Sequence, residues 1–223
     1  MAESSNDSPD PTLVDRRRLN LLASFAFVLG GSLFALGAAF AQVGSQSLVT
    51  VNVTYLVGGF FFSLGGYVSI VLTTRGELER HSAVVLFIGT LLFAVSLVAA
   101  FAEGLTPRQS NGWIWIPDIL GCLCFLASGH LAMLAVGEGH VRVRPRLTGW
   151  WVVAVNQVGS VLFFLAGLAA FTRPATSQEL DAGLVNWGTF AGAVCFAVGG
   201  VIQAFDRPTS PSAAQSGDVR HAG

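Results

Sequence analysis

Long apolar stretches without charge alternate along the chain with short polar segments. No charged residue lies between Arg18 and Arg75, and the later apolar stretches are separated by segments that carry Arg, Glu or Asp. A helix that crosses the hydrocarbon core of a bilayer needs roughly 20 mostly apolar residues. The pattern therefore predicts an all-α membrane protein with six transmembrane helices, at residues 19–41, 55–72, 82–101, 117–136, 150–171 and 184–205.

Polar segments flank this predicted membrane domain, which covers residues 15–206. Residues 1–14 and 207–223 are rich in Ser, Pro, Asp and Ala, a composition typical of disordered tails. A cleavable signal peptide is the competing interpretation of the first apolar stretch. That stretch is longer than the apolar core of a signal peptide, and no small-residue cleavage site precedes a soluble domain. We therefore expect the first helix to stay in the membrane.

The overall composition points the same way. The chain is 52% hydrophobic and 11% charged, whereas a soluble domain carries about a quarter charged residues. A soluble globular enzyme is thereby excluded. The formal net charge of −1 offers no basic face of the kind that nucleic-acid binding requires. The expected surroundings of the chain are the lipid bilayer, with no nucleic-acid partner and with any protein partner unknown.

The arginines predict the orientation in the membrane. All 12 basic residues are Arg, and only Arg108 and Arg173 lie on the side of the predicted helices away from the termini. Because cytoplasmic loops carry an excess of basic residues, both termini are expected in the cytoplasm and the chain in the cell inner (plasma) membrane. The clusters at 16–18 and 142–146 are expected to bind anionic lipid headgroups as a secondary role, worth about 1 kcal/mol per residue. The exclusive use of Arg indicates GC-rich coding and a bacterial source.

A glycine and phenylalanine pattern recurs along the chain. The second, fourth and sixth predicted helices share Gly-x3-Phe-x3-Gly, and the others share Gly-x3-Phe. Residues four apart lie near one face of a helix, and small residues let helices approach closely in lipid. The pattern predicts three parallel two-helix hairpin repeats, at 19–72, 82–136 and 150–205. The predicted helix-packing glycines are Gly58, Gly66, Gly121, Gly129, Gly192 and Gly200.

Parallel repeats imply a pseudo-symmetry axis along the membrane normal. Two arrangements are compatible with this: a pseudo-threefold bundle of six helices, or a four-helix core with one hairpin set apart. The glycine strips also have two interpretations. They are packing faces, or they line a pore or a mobile interface.

Two of the hairpins resemble a known family. The segments LNLLASFAFVLGGSLF and YLVGGFFFSLGGYVSIV, and later VNQVGSVLFF and WGTFAGAVCFAVGGVIQAF, resemble the YrhK-like domain of small bacterial integral membrane proteins. The middle hairpin departs from the pattern, with Ser128-Gly129-His130 where the others have two glycines followed by another residue. The resemblance implies a multi-pass membrane protein without an established activity, and it supplies no site residues.

Few polar side chains fall within the predicted helices, and these are the candidate site. Ionisable residues inside a membrane are costly and are therefore functional candidates. His130 and Asn156 lie at similar depths on neighbouring predicted helices, where they either meet as a polar site or form hydrogen bonds that hold the bundle together. Asp118 directly follows Pro117, which is typical of a helix start. Its alternative role is in a transport site open to the outside.

The sequence contains no catalytic motif. The three cysteines, Cys122, Cys124 and Cys195, fall within predicted helices and lack the spacing of a metal site, so neither a disulfide nor a metal or cofactor is expected. The leading hypothesis is a non-enzymatic membrane bundle with a structural or partner-binding role. The alternative is a small transporter or channel whose polar path passes near His130 and Asn156.

Overall fold

The chain folds into membrane-length helices. A computed structural model describes residues 11–73 and 76–206, and within these ranges the secondary structure is helical apart from an isolated β-bridge between Thr172 and Glu179. Six helices are long and apolar enough to cross a membrane. They are α1 (Pro11–Val43), α2 (Leu48–Leu72), α3 (Glu77–Ala99), α4 (Pro107–Val136), α5 (Thr148–Ala169) and α6 (Ala182–Phe205).

The helices form a closed ring. Each helix packs against the helix before it and the helix after it, and α6 packs against α1. The most apolar segment of α1 is 56% buried, against 28–33% in the other helices. We call the end of the ring where α1 begins and α6 ends the terminal face, and the other end the opposite face.

Several helices begin earlier than predicted. Residues 11–14 belong to α1, although they were predicted as part of the disordered N-terminal tail, while residues 1–10 and 207–223 lie outside the described residues. α2, α3 and α4 likewise extend beyond the predicted spans. Side chains of Ser47 and Thr106 accept hydrogen bonds from the first turns of α2 and α4, at Thr50 and Gln109. Hydropathy locates the segment in the hydrocarbon core, whereas such caps set where a helix begins.

Pro117 and Asp118 lie in the first turn of the regular α-helical part of α4, which begins at Ile116, but the helix as a whole starts ten residues before Pro117. The first turn of α4 begins at Pro107, and Pro117 lies inside the helix. A proline has no N–H to donate within a helix, so it disrupts the regular hydrogen bonding around it. Here a π-helical turn at Asn111–Trp115 accommodates it, with the Ile116 N–H bonded to the Asn111 carbonyl. The α4 helix thus continues through the proline, and Asp118 follows the π-helical turn instead of the end of a loop.

Aromatic rings fill the middle of the ring of helices. One phenylalanine from each helix contributes, and the centroids of contacting rings are 5.1–6.5 Å apart. Three of them, Phe62, Phe125 and Phe196, contact one another at 5.3–6.1 Å. We call this set the phenylalanine cluster: Phe34, Phe62, Phe93, Phe125, Phe163 and Phe196.

Glycines bring the two helices of each sequential pair together at the level of this cluster. A Cβ atom added to Gly58 would lie 3.1 Å from the carbonyl oxygen of Gly30, and one added to Gly121 would lie 3.1 Å from that of Gly89. The corresponding distance from Gly192 to the Gly159 oxygen would be 2.9 Å. These distances are tighter than ordinary contacts, so larger residues would force the helices apart.

The second glycine of each strip faces the next pair of helices. A Cβ on Gly200 would lie 3.0 Å from the carbonyl oxygen of Ser24 in α1, and one on Gly129 would meet the side-chain oxygen of Gln157 in α5. Gly66 faces Phe87 of α3, where an added Cβ would be 3.5 Å away. That is an ordinary contact, so the six predicted packing glycines differ in how much space they leave.

Candidate functional site

A cavity of about 330 Å³ enters the ring from the opposite face. It begins at the connection between α5 and α6, near Glu179, and ends at the phenylalanine cluster, where Phe62 and Phe125 line its floor. Its walls carry hydroxyl groups as well as rings, including Thr90 and Ser96 of α3. We call it the opposite-face cavity.

Asp118 is the ionisable carboxylate that lies deepest in this cavity. It is half-buried on α4, beside Gly167 of α5, where an added Cβ would be 3.1 Å from the Asp118 Oδ2 atom. The indole N–H of Trp115 donates to the Gly167 carbonyl at 2.8 Å and holds α4 against α5 at this level. Within residues 11–73 and 76–206, no hydrogen bond or ion pair reaches the Asp118 carboxylate.

Two other polar side chains lie at the position of Asp118 in their own helices. Tyr55, Asp118 and Thr189 each precede the phenylalanine of their helix by seven residues. All three line the opposite-face cavity. The Gly-x3-Phe-x3-Gly alignment contained this signal, but Tyr55 resembles a membrane-interface residue, and Thr189 is an ordinary residue within an apolar helix. Sequence reasoning therefore missed both.

The cavity also carries an acid near its entrance. Glu179 belongs to the connection between α5 and α6, outside the membrane-spanning helices, and partial burial raises the pKa of its carboxyl group. No arginine or histidine of the described ranges lines the opposite-face cavity. The carboxylic acids that line the cavity, Asp118 and Glu179, favour the binding of a cation over that of an anion.

A second cavity, of about 320 Å³, enters from the terminal face. It ends at Phe125 and Phe196 of the phenylalanine cluster, and exposed acids, Glu79 and Asp206, lie at its rim. Small side chains of Ser, Ala and Gly make up much of its wall. We call it the terminal-face cavity, and Phe125 lines both cavities.

A reciprocal serine pair joins α3 and α4 in the wall of the terminal-face cavity. The Ser82 hydroxyl donates to the Ser128 carbonyl at 2.9 Å, and the Ser128 hydroxyl donates to the Ser82 carbonyl at 2.8 Å. Both side chains are buried. This pair is a polar contact that sequence reasoning did not identify, because single serines in apolar helices are common.

Asn156 lines the same cavity. Its side chain lies against Gly199 of α6, and its Oδ1 atom is buried with no hydrogen-bond partner in the described part of the chain. The neighbouring Gln157 is bonded weakly, from Nε2 to the Leu126 carbonyl at 3.4 Å, and its Oε1 atom is also buried without a partner. A buried amide oxygen without a donor costs free energy, so this position is not explained by packing alone.

His130 does not meet Asn156. It lies on the exposed side of α4 and lines neither cavity. The physical reason is the helical repeat: His130 is two residues past the buried Ser128, a rotation of about 200° around the helix. Equal depth brought the two residues together in the sequence-based hypothesis, but the rotation directs His130 away from the bundle.

The described residues contain no group of three His, Cys, Asp or Glu side chains that could hold a metal ion. Cys122, Cys124 and Cys195 are free thiols, and the Cys122 thiol donates to the Phe163 carbonyl at 3.3 Å. The groups that the two cavities offer to a solute are oxygen atoms and aromatic rings of the protein.

The ring of six membrane-length helices defines the class of this chain, which is that of a multi-pass membrane protein. Comparison with models of protein families, with curated proteins and with solved structures finds no match to the chain.

Proposed function

We propose that the protein moves a small solute across the membrane along the axis of the ring. The observation that carries this proposal is the placement of the two cavities, which enter from opposite faces and both end at Phe125. They form two halves of one path, and the phenylalanine cluster separates them. A hydrophobic constriction of this kind acts as a gate because water leaves it readily.

The size of the cavities favours this proposal over a purely structural role. Helical interiors pack to high density, and most voids within them are smaller than a water molecule. Spaces of about 330 and 320 Å³ are far larger than such voids. The non-enzymatic structural or partner-binding bundle, which the sequence favoured, is the alternative that a dry and inaccessible interior would support.

The repeat and the orientation complete the proposal. The shared approach of Gly30 to Gly58, Gly89 to Gly121 and Gly159 to Gly192 supports three parallel hairpins of common origin, with the path on their pseudo-threefold axis. Membership of the YrhK-like family and a bacterial plasma membrane remain predictions from the sequence. With both termini in the cytoplasm, the terminal-face cavity opens to the cytoplasm and the opposite-face cavity to the outside.

Cysteine labelling in vesicles tests the path. In a chain with Cys122, Cys124 and Cys195 replaced by Ala, Ser96→Cys reports on the opposite-face cavity and Ala132→Cys on the terminal-face cavity. A thiol reagent that does not cross the bilayer should label each cysteine from one side only, and from different sides. His130→Cys is the matched control and should not react, because its position faces lipid. If the cysteine in one of the cavities reacts from neither side of the membrane, the proposed path is contradicted.

Removing the side chain of Phe125, which lines both cavities, tests the gate. Phe125→Ala should let the reagent reach Ser96→Cys and Ala132→Cys from both sides, and it should produce a leak of small ions from liposomes. The control is Phe60→Ala, which removes an exposed ring outside the phenylalanine cluster. One-sided labelling that persists in Phe125→Ala, with no leak, would show that the cavities are separate and would sink the transport proposal.

A further inference from the structure

We infer that the opposite-face cavity binds a small organic cation with an apolar body. This inference deepens the proposed function, since it names the class of solute that the path would carry. It starts from the walls of the cavity, which carry seven aromatic side chains. They combine rings of the phenylalanine cluster with those of Tyr55 and Trp115.

Cavity size separates an organic ligand from a bare inorganic ion. Ligand pockets occupy about 300–1,000 Å³, and a water molecule takes about 30 Å³ of liquid. At about 330 Å³ the cavity would hold roughly ten waters or one small organic molecule. A dehydrated calcium ion needs six to eight oxygen ligands, and no metal-ligating group of three side chains lies in the described ranges.

The charge of the ligand follows from Asp118. Its carboxylate lies within a membrane-spanning helix and has no hydrogen-bond or ion-pair partner in the part of the chain that the structure describes. A carboxylate in that setting is costly unless a cation compensates it. Because no Arg or His side chain of the described ranges lines the cavity, the charge of the carboxylate is compensated from outside the chain, either by a proton bound to it or by a cation that enters the cavity.

The aromatic rings favour a cation that is organic. Ammonium groups are attracted to the faces of Trp, Tyr and Phe, and sites for quaternary ammonium ligands use several such rings. Tyr55 of α2 and Trp115 of α4 line the cavity that also holds Asp118, together with rings of the phenylalanine cluster. The carboxylate attracts the positive charge of the ligand, and the rings contact its apolar part. Both features of the ligand are therefore required for binding.

The terminal-face cavity has fewer aromatic rings, all of them from phenylalanine (Phe27, Phe125 and Phe196), and no carboxylate deep inside. Its acids, Glu79 and Asp206, are exposed at the rim, and Ser, Ala and Gly form much of its wall. Binding is therefore expected in the opposite-face cavity, and the site should lose affinity when that cavity alone is altered.

Binding to the purified full-length protein in detergent tests this inference. The probe is benzyltrimethylammonium, measured by calorimetry and by the change in tryptophan fluorescence that Trp115 should produce. Benzenesulfonate has a similar ring with the opposite charge, and potassium has the charge without the ring. Saturable binding of benzyltrimethylammonium, with neither control compound competing, is the expected result. Equal binding of benzenesulfonate, or no saturable binding of the probe, would overturn the inference.

Variants locate the site. Asp118→Asn should weaken binding at least tenfold, Asp118→Glu should retain it, and Glu103→Gln should leave it unchanged, because Glu103 is an exposed acid that lines neither cavity. Ser96→Leu fills the cavity without touching the charge and should also weaken binding at least tenfold. It keeps the test decisive if Asp118→Asn does not fold. Unchanged affinity in a folded Asp118→Asn or Ser96→Leu protein would rule out this cavity.

The binding test and the transport test can fail separately. Binding in detergent needs no path across the membrane, so binding without one-sided labelling would keep the organic-cation site and remove the proposed function. Labelling and leak as expected, without binding of benzyltrimethylammonium, would keep the path and overturn the organic cation as its solute.

Discussion

The two cavities are built on the same six helices, yet they offer different chemistry. The opposite-face cavity has aromatic walls and a carboxylate, Asp118, deep inside. The terminal-face cavity has small side chains beside three phenylalanines, amides that include Asn156, and acids only at its rim. The recurring glycines and phenylalanines build the common frame, and residues that do not recur decide what each cavity can bind.

Equivalent positions make this difference concrete. Asn156 precedes Phe163 of its helix by seven residues, and the same offset gives Phe27 in α1 and Leu86 in α3. Phe27 lies against Gly65 as Asn156 lies against Gly199. The third pair of helices thus carries a polar side chain where the first carries an aromatic ring. One difference at a repeated position thus places an amide in the wall of the terminal-face cavity.

The largest expected effect comes from breaking the common frame. Gly159→Leu places a side chain where a Cβ atom alone would be 2.9 Å from the Gly192 carbonyl oxygen. Because backbone has to move, we expect a loss of about 3 kcal/mol or more in the free energy of unfolding, measured by steric trapping or denaturation in detergent. Gly66→Ala is the control and should change stability by less than about 0.5 kcal/mol. Similar losses in both would mean that the frame does not depend on these close approaches.

The serine pair tests the wall of the terminal-face cavity. Ser82→Ala should lower the free energy of unfolding by about 1–3 kcal/mol, because it removes the hydroxyl that donates to the Ser128 carbonyl. The hydrogen bond from the Ser128 hydroxyl to the Ser82 carbonyl remains. Ser128→Ala should cost a similar amount, and the double variant should cost less than the sum. A double-mutant cycle of unfolding free energies measures this coupling. Strict additivity would mean that the two serines act independently.

Asn156→Leu should make the protein more stable and at the same time less active. It removes a buried oxygen that has no donor in the described ranges, and it introduces the residue found at the equivalent position of α3. We expect a gain of about 1 kcal/mol in the free energy of unfolding and a loss of the flux that the parent protein supports. His130→Leu, on the exposed side of α4, should leave flux unchanged. A loss of stability in Asn156→Leu would show that the amide is a packing element.

The smallest effect is expected in the connection between α4 and α5, which lies outside both cavities. Arg144 bonds Glu138 at 2.9 Å and lowers the pKa of the Glu138 carboxyl. A lowered pKa in the folded state means that any contribution to stability is present above the usual pKa and is lost as the pH falls. Since the pair is on the surface, Arg144→Gln should raise the Glu138 pKa in an NMR titration without shifting Tm. A clear drop in Tm would give this loop a structural role.

The sequence was sufficient to predict the six helices, since a stretch of apolar residues of membrane length has few other uses. It could not predict which side of a helix faces inward, because lipid and protein interior are both apolar and the helices show no clear polar face. His130 illustrates the limit: its depth was readable, but its direction depends on how α4 rotates against α3 and α5. Asp118 illustrates a second limit, since the π-helical turn before Pro117 follows from local geometry that a motif does not encode.

The contact between the first and last helices has a consequence for the topology of the chain. The Asn20 side-chain amide donates to the Gln203 carbonyl at 3.0 Å, and the Gln203 amide donates back to Asn20 Oδ1 at 3.1 Å. The first and last helices are therefore neighbours, and they pack together although no connecting segment joins them directly. A circular permutant that starts at α3 and joins α6 to α1 through a short linker should assemble the same ring, and native thermal stability in detergent would be its signature.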